Sequence, residues 1–460
     1  MLKQSLSEIE VFLQQEVLKL ARKALMHRFA VDPRADPDRE YECTKCKGRL
    51  RIQEKQQNRP LSTVLGEVEY KRPYGVCDRC GISYAPMDCG LGIPPTGGSV
   101  MRTERVCHAS VTARSFEAAA EILKEHDGIE LSDKQVRVIS ETEGKRLADE
   151  RAREVESFRS GEKVAEPGEP PNLIVVTADG GRIQTRRQDE GNEDEQEDEG
   201  KGGAWKEDKV GAVYDAVPRK DPDAAEAEKY EGAKARTKTF AASLAEWEDF
   251  GWMLCVEALK RGYEKAKEKL FISDGAPSLR TLRQTHFPDA TFILDWYHAV
   301  EHLAACAKAA FGEGTEECAR WYKRMKAKLW AGDLNAVIRA IEKESARVGK
   351  PQPKEHEGSP RVILHRNIGY FSDNRKGMDY PRFRAEGWPI GSGVAEGAVK
   401  QFGMRMKGTE KFWNGFGCGM GAEEMLALCA LHRSEDGRWK AHWRHRSQPY
   451  NREPRKKEGA

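Results

Sequence analysis

Three short apolar runs, each closing on an aspartate, constrain the fold of this chain more than any other feature. Leu173-Ile174-Val175-Val176-Thr177-Ala178-Asp179 leads into Gly180-Gly181, Lys269-Leu270-Phe271-Ile272-Ser273-Asp274 into Gly275, and Thr291-Phe292-Ile293-Leu294-Asp295 into Trp296. Apolar runs this short and without polar alternation read as strands buried on both faces of a sheet, which requires helices on either side. Residues 209–214 and 237–240 read as two further strands of a meander. Ser243 with Glu246 reads as a capping box opening a helix to about residue 267, with Leu244, Trp247, Leu254 and Ala258 on one face. Residues 300–348 are strongly helical in pattern, and the last clear helix starts near Val394. Three hairpin strands, then helix, strand, helix and strand, is the order of a mixed α/β sheet.

The aspartates matter for chemistry as well. An acid before glycine at a strand end is commonly only a turn. Asp179 and Asp274 both close apolar strands, however, and adjacent strands of one sheet bring two such carboxylates to one edge. Glu396 is the best third member. It follows Trp388-Pro389-Ile390-Gly391-Ser392-Gly393, where the glycines allow close backbone approach and Ser392 can cap the helix that carries Glu396. Three carboxylates form a hard oxygen donor set suited to Mg²⁺ or Mn²⁺. The plainer reading of Glu396 is a solvated acid stabilised by the helix dipole.

A second constraint lies upstream. Cys43-x-x-Cys46 and Cys77-x-x-Cys80 carry turn formers, Lys47-Gly48 after the first pair and Gly81 after the second, so four thiolates can converge on one structural Zn²⁺. Residues 66–72 read as a strand of the resulting ribbon, and Cys89, Cys107 and His108 as ordinary residues. Before the ribbon, Leu2, Leu6, Ile9, Leu13, Val17, Leu20 and Ala24 form one apolar stripe on a helix. Packing on its own domain is the ordinary role of such a stripe, and dimerisation the sharper one. After the ribbon, residues 115–123 read as one amphipathic helix. Ser132 can cap a second one carrying Val136, Ile139 and Leu147, a pair resembling a helix-turn-helix unit or any helical hairpin.

At about 100–200 residues per domain, 460 residues allow roughly three domains. The divisions expected are a helix over 1–30, a zinc ribbon over 40–92, a helical region over 103–160, an α/β core over 171–432 with a helical insertion near 300–385, and a basic aromatic tail over 433–460. Mean hydropathy is −0.74 and no apolar run reaches membrane-spanning length, so no membrane partner is expected. The first residues carry acids and lack a basic segment followed by an apolar one, so a reducing cytoplasm is the expected compartment. Lys plus Arg number 77 and Asp plus Glu 75, a net +2 that on its face argues against nucleic acid. Eight of those acids fall between Asp189 and Gly200, so the rest of the chain carries 77 − (75 − 8) = +10. Its bases gather after Glu396 (Lys400, Arg405, Lys407 and Lys411, beside Trp413) and in the tail. There Arg444, Arg446, Lys456 and Lys457 are interleaved with His442, Trp443, His445 and Tyr450, groups that suit phosphates and unpaired bases. A solvated tail is the plain alternative.

The segments around Asp179 (Thr177 to Gly181), Asp274 (Ile272 to Ala276), Asp295 (Leu294 to His302) and Glu396 (Gly391 to Gln401) together resemble DDE transposases of bacterial insertion sequences of the ISKra type, distant relatives of the Mutator-like transposases. The likeness covers most of residues 170–432 and continues from Phe402 through Trp413. It implies a ribonuclease-H-like core in which Asp179, Asp274 and Glu396 hold two Mg²⁺ or Mn²⁺ ions. Asp295 and His298 become an accessory D-x-x-H element, and a helical insertion fills the 122 positions from 274 to 396. It further implies strand cleavage at terminal inverted repeats, strand transfer into target DNA, at least a homodimer, and a bacterial, nucleoid-associated setting. A DNA-binding regulator derived from a transposase, or another nuclease of the same fold, are the alternatives. Loss of a triad carboxylate would favour the regulator, and all three are present.

Overall fold

The computed structural model describes residues 5–95, 97–162, 169–186, 204–219, 230–408, 411–414 and 421–449. The acidic run 189–200 and the tail residues Tyr450, Lys456 and Lys457 lie outside these. The chain divides into two compact units, Met1–Glu143 with Gly437–Ala460, and Gly144–Asp436. Among the described residues no helix is long and apolar enough to cross a membrane.

The first unit opens with helix α1 (Leu6–Ala30), capped reciprocally by Ser5 and Glu8. An antiparallel sheet follows in the order β1 (Tyr41–Glu42), β2 (Arg49–Thr63), β3 (Gly66–Cys77) and β4 (Ser83–Tyr84). Phe29 near the end of α1 packs with Leu61, Val68 and Tyr70 of the hairpin and with Met87 of α2 (Pro86–Leu91). The Asp88 carboxylate accepts from Tyr70 Oη at 2.6 Å and pairs with Arg59 and Arg72, clamping α2 to both strands. The apolar stripe of α1 is a different matter. Leu6, Ile9, Leu13, Val17 and Leu20 are exposed, so the expectation that the stripe packs on its own domain fails.

Helices α3 (Val100–Thr112), α4 (Phe116–Asp127) and α5 (Asp133–Arg159) follow. Val106, Ala119, Leu123, Ile129 and Val136 form their shared core. Gly128 sits at φ +63° in the turn between α4 and α5, a conformation that costs glycine nothing. Ser132 and Gln135 then bond reciprocally to each other's backbone N–H, so the helical hairpin read from the sequence is present. The unit boundary falls inside α5, not between the helical region expected to end at 160 and the core expected to start at 171.

The second unit is built on a five-stranded mixed sheet of order β7-β6-β5-β8-β9, from β5 (Leu173–Thr185), β6 (Ala204–Val217), β7 (Lys234–Ser243), β8 (Glu268–Ser273) and β9 (Thr291–Leu294). The first three are antiparallel, and β8 and β9 run parallel to β5. One face packs Ile174, Val176 and Phe271 against α6 (Trp247–Lys260) and α7 (Pro277–His286). The other buries Val175, Leu270 and Ile272 under α8 (Trp296–Phe311), α9 (Glu316–Trp330), α10 (Leu334–Val348), α11 (Pro360–Asp373) and α12 (Tyr380–Ala385). These five helices occupy the expected insertion. Then come α13 (Gly393–Met406) and α14 (Ala422–Arg433), and the chain re-enters the first unit as α15 (Arg438–Arg446). Helices therefore continue past the one starting near Val394.

The capping box expected at Ser243 does not form. Strand β7 runs through Ser243, whose Oγ bonds the Glu423 carboxylate at 2.9 Å, and α6 starts four residues later without a side-chain cap. It ends at Lys260, where Arg261, Gly262 and a short 3-10 turn intervene.

Candidate functional site

The cysteine cluster needs the least construction. Tight turns after Cys43 and Cys77, with Lys47 N–H donating to Cys43 O and Gly81 N–H to Cys77 O, put Lys47 at φ 60° and Gly81 at φ 70°. The two knuckles are thus alike although one uses lysine where glycine is favoured. The sulfurs of Cys43, Cys46, Cys77 and Cys80 all lie within 4.8 Å of one another, with Cys46 and Cys77 at 3.4 Å and Cys43 and Cys80 at 3.6 Å. Four convergent sulfurs without a disulfide can bind one Zn²⁺. Cys89 and Cys107 are buried thiols outside the cluster, as the sequence suggested.

The acidic site forms where β8 stops and β5 goes on. The β5–β8 pairing ends at Thr177 opposite Ile272, and β5 continues beside β6 to Thr185. Asp179 is therefore within its strand rather than at the strand's end, but just beyond the end of the neighbouring one. Its Oδ1 accepts from Gly180 N–H at 2.7 Å. Asp274 immediately follows β8, and its Oδ1 accepts from Ala276 N–H at 2.8 Å, closing the turn into α7. Gly275 at φ +82° is required here, since a Cβ would lie 2.5 Å from Leu294 Cδ1. Glu396 lies in the first turn of α13.

Asp295 is the organising residue. It is fully buried, it caps α8 by accepting from His298 N–H at 3.0 Å, and its Oδ2 accepts from both the backbone N–H and the Oγ of Ser392, the latter at 2.6 Å. Trp296 N–H donates to Ile390 O at 2.8 Å, so the loop before α13 is tied to the β9–α8 junction. Burial would raise the Asp295 carboxyl, but the bonds from His298 and Ser392 hold it below its ordinary value. Ser392 does not cap α13 with its side chain, contrary to expectation. Its Oγ lies instead between Asp295 and Glu396 Oε1, 3.2 Å from the latter.

His298 Nδ1 lies 3.4 Å from Asp295 Oδ1, an electrostatic contact more than an aligned hydrogen bond. Contact with Asp295, and after it the charge of Asp274 and Glu301, raises the imidazole to about 9, against the effect of burial. One ligand-type atom each from Asp295, His298 and Glu396 lies within 4.8 Å of the others. This grouping differs from the expected Asp179, Asp274 and Glu396. With Asp295 occupied by three donors and His298 favouring its charged form, it reads as an ion-paired scaffold that fixes Glu396. The expected triad is coupled through charge: burial raises the Asp179 carboxyl, and the neighbouring Asp274 and Glu396 raise it further.

Three residues here escaped the sequence reading. Tyr370 on α11 donates its hydroxyl to Asp274 O at 2.8 Å, and its ring stacks on His302 at 3.6 Å, whose Nδ1 meets Asn367 Oδ1 at 2.6 Å. Asp208 on β6 lies opposite Gly181, on the sheet face that carries Asp179. Both of its oxygens are buried without a hydrogen-bond partner among the described residues, and burial pushes its carboxyl up while the Lys407 ammonium opposes this. Gly181 is needed there, because a Cβ would lie 2.5 Å from Asp208 Oδ1. Only the strand register shows these approaches.

The basic residues divide. Lys400 and Lys407 are exposed, Lys400 with its Nζ 3.9 Å from Glu396. Arg405 is buried over the ring of Trp413, which is itself buried and donates Nε1–H to Met406 O at 2.8 Å. Neither offers its charge or ring to DNA, because both complete the strap joining α13 to β5. Lys411 Nζ donates to Arg405 O at 3.1 Å. In α15, Arg444 is exposed, while Trp443 is buried and His442 and Arg446 both bond the buried Glu143 carboxylate. Burial thus removes the Trp443 ring from stacking, while His442 and Arg446 are engaged by Glu143 within the first unit. No protein-family model matches the chain, and no curated protein matches it.

Proposed function

We propose that the second unit is a metal-dependent DNA-cleaving and strand-transferring enzyme, a DDE transposase with a ribonuclease-H-like core. The observation that supports this reading is that Asp179 lies just beyond the end of the β5–β8 pairing, Asp274 directly after β8 and Glu396 in the first turn of α13, with the charges of Asp274 and Glu396 both acting on Asp179. In chain order the sheet has three antiparallel strands and then two parallel ones, with Asp179 on the first and Asp274 directly after the fourth, which supports the core assignment.

The donor set fits a hard divalent cation. Asp274 and Glu396 lie close enough to Asp179 to raise its proton affinity, a repulsion that a bound cation relieves. Asp179, Asp274 and Glu396 would hold Mg²⁺ or Mn²⁺, which when bound supplies Lewis-acid charge for attack on a phosphate and departure of the 3′-oxygen. The chain's own groups do the positioning. Asp295 and Ser392 set the start of α13 and with it the Glu396 carboxylate. Protonated His298 offers a fixed positive charge beside the acids, suited to a phosphate oxygen of the scissile strand. Lys400, one turn beyond Glu396, extends that positive surface.

The test is strand joining. Incubated with Mg²⁺, target plasmid and DNA fragments carrying the sequences that flank its gene, the protein is expected to give covalently joined products. Asp179→Asn, Asp274→Asn and Glu396→Gln each abolish them. Full activity of Asp274→Asn would refute the triad.

A further inference from the structure

Helix α1 has two apolar faces, and among the described residues only one of them is packed. Leu25 and Phe29 lie against the β2–β3 hairpin, with Leu18, Ala21 and Arg22 half-buried on the same side. Roughly 140° away around the helix, at 100° per residue, runs the second face. Leu6 is 72% exposed, Leu13 54%, Val17 63% and Leu20 69%, with Ile9 and Ala24 completing the row. A row of large apolar side chains left to water on a folded helix marks an interaction surface.

The spacing and the charges say what covers it. Residues 6, 9 and 13 recur eleven positions later as 17, 20 and 24, a period close to that of a straight helix and suited to long side-by-side packing with another helix. The charges of α1 are segregated: Glu8, Glu10 and Glu16 precede every base, and Lys19, Arg22, Lys23 and Arg28 follow every acid. Glu10 and Arg28 are eighteen residues, five whole turns, apart and flank one side of the row. Glu16 and Lys23, seven apart, flank the other.

We propose that α1 pairs antiparallel with α1 of a second copy of this chain. A two-fold axis between antiparallel helices matches each side of the row with the same side of its partner. Glu10 then meets Arg28 of the other copy and Glu16 meets Lys23, each within two residues of the register that sets Leu13 against Ala24 and Val17 against Leu20. A parallel, in-register pair would face one side of the row with the other side of its partner, where the nearest opposite charges, Arg28 for Glu16 and Glu10 for Lys23, lie twelve and thirteen residues out of level. Antiparallel pairing thus satisfies both the apolar row and the flanking charges. It involves the first unit alone and stands independently of the cleavage chemistry.

The full, zinc-loaded chain, nuclease-treated and measured by light scattering and sedimentation at micromolar concentration, is expected to be a dimer. Leu13→Asp with Val17→Asp makes it a monomer with zinc content unchanged. Glu16→Lys and Lys23→Glu each raise the dimer dissociation constant about tenfold by turning attraction into repulsion at two symmetry-related contacts, and the two together in one chain restore it. A monomeric wild type, a dimer that survives the Leu13/Val17 double substitution, or a charge exchange that fails to restore pairing would each overturn the proposal. Failure of the transposase reading would appear instead in the joining products, with the mass unchanged.

Discussion

At the scale of single residues, the acidic site depends on a serine. Ser392 supplies two of the donors to the fully buried Asp295. Ser392→Ala removes one of them and is expected to cost about 1–3 kcal/mol in urea unfolding, because a buried acceptor loses its partner. His298 gives a pH signature. Its imidazole is raised to about 9 in the folded chain, above the ordinary value of 6.5, so its stabilising charge is fully present below 6.5 and is lost as pH rises through 9. The melting temperature should therefore fall across that window in the wild type and fall less in His298→Gln. Asp179 and Asp274 were legible in the sequence because glycine turns after apolar runs announce them. Ser392 looked like a helix cap, since capping is the commoner use of a serine before a helix. Its bond to Asp295 spans 97 positions, and no local pattern carries it. Asp208 was hidden for the same reason, its environment being set by cross-strand register.

At the scale of elements, the antiparallel β1–β4 sheet is pinned at one end by the four cysteines. Loading with Zn²⁺ is expected to give one ion per chain, and chelation or Cys77→Ser should lower the melting temperature of the first unit and release the metal, both measurable together by calorimetry and zinc assay. The strap after α13 shows where composition misleads. Lys400, Arg405, Lys407 and Lys411 read as one basic segment, yet helix geometry exposes Lys400 and Lys407 and turns Arg405 inward onto Trp413. Lys400→Ala should weaken DNA binding and shallow its salt dependence by about 0.9 in the log–log slope, whereas Arg405→Ala should lower stability. The strands of the α/β sheet were legible because burial on both faces leaves continuous apolar runs. The exposure of the α1 stripe was not, since periodicity reports a helix's apolar face without saying what covers it.

At the scale of the whole molecule, the near-zero net charge conceals segregation. The acidic run lies outside the described residues, while exposed bases stand beside the acidic site and on α15. The two units divide the chemistry into a cysteine cluster with a helical hairpin and an α/β unit with the carboxylates. Asp179, Asp274 and Glu396 are expected to hold a divalent cation, which calorimetric titration of Mn²⁺ into the zinc-loaded chain measures. The wild type is expected to bind Mn²⁺, and Asp274→Asn and Glu396→Gln each to weaken binding by roughly tenfold or more while keeping the wild-type melting temperature. Wild-type Mn²⁺ affinity in Asp274→Asn, or no binding by the wild type, would contradict it.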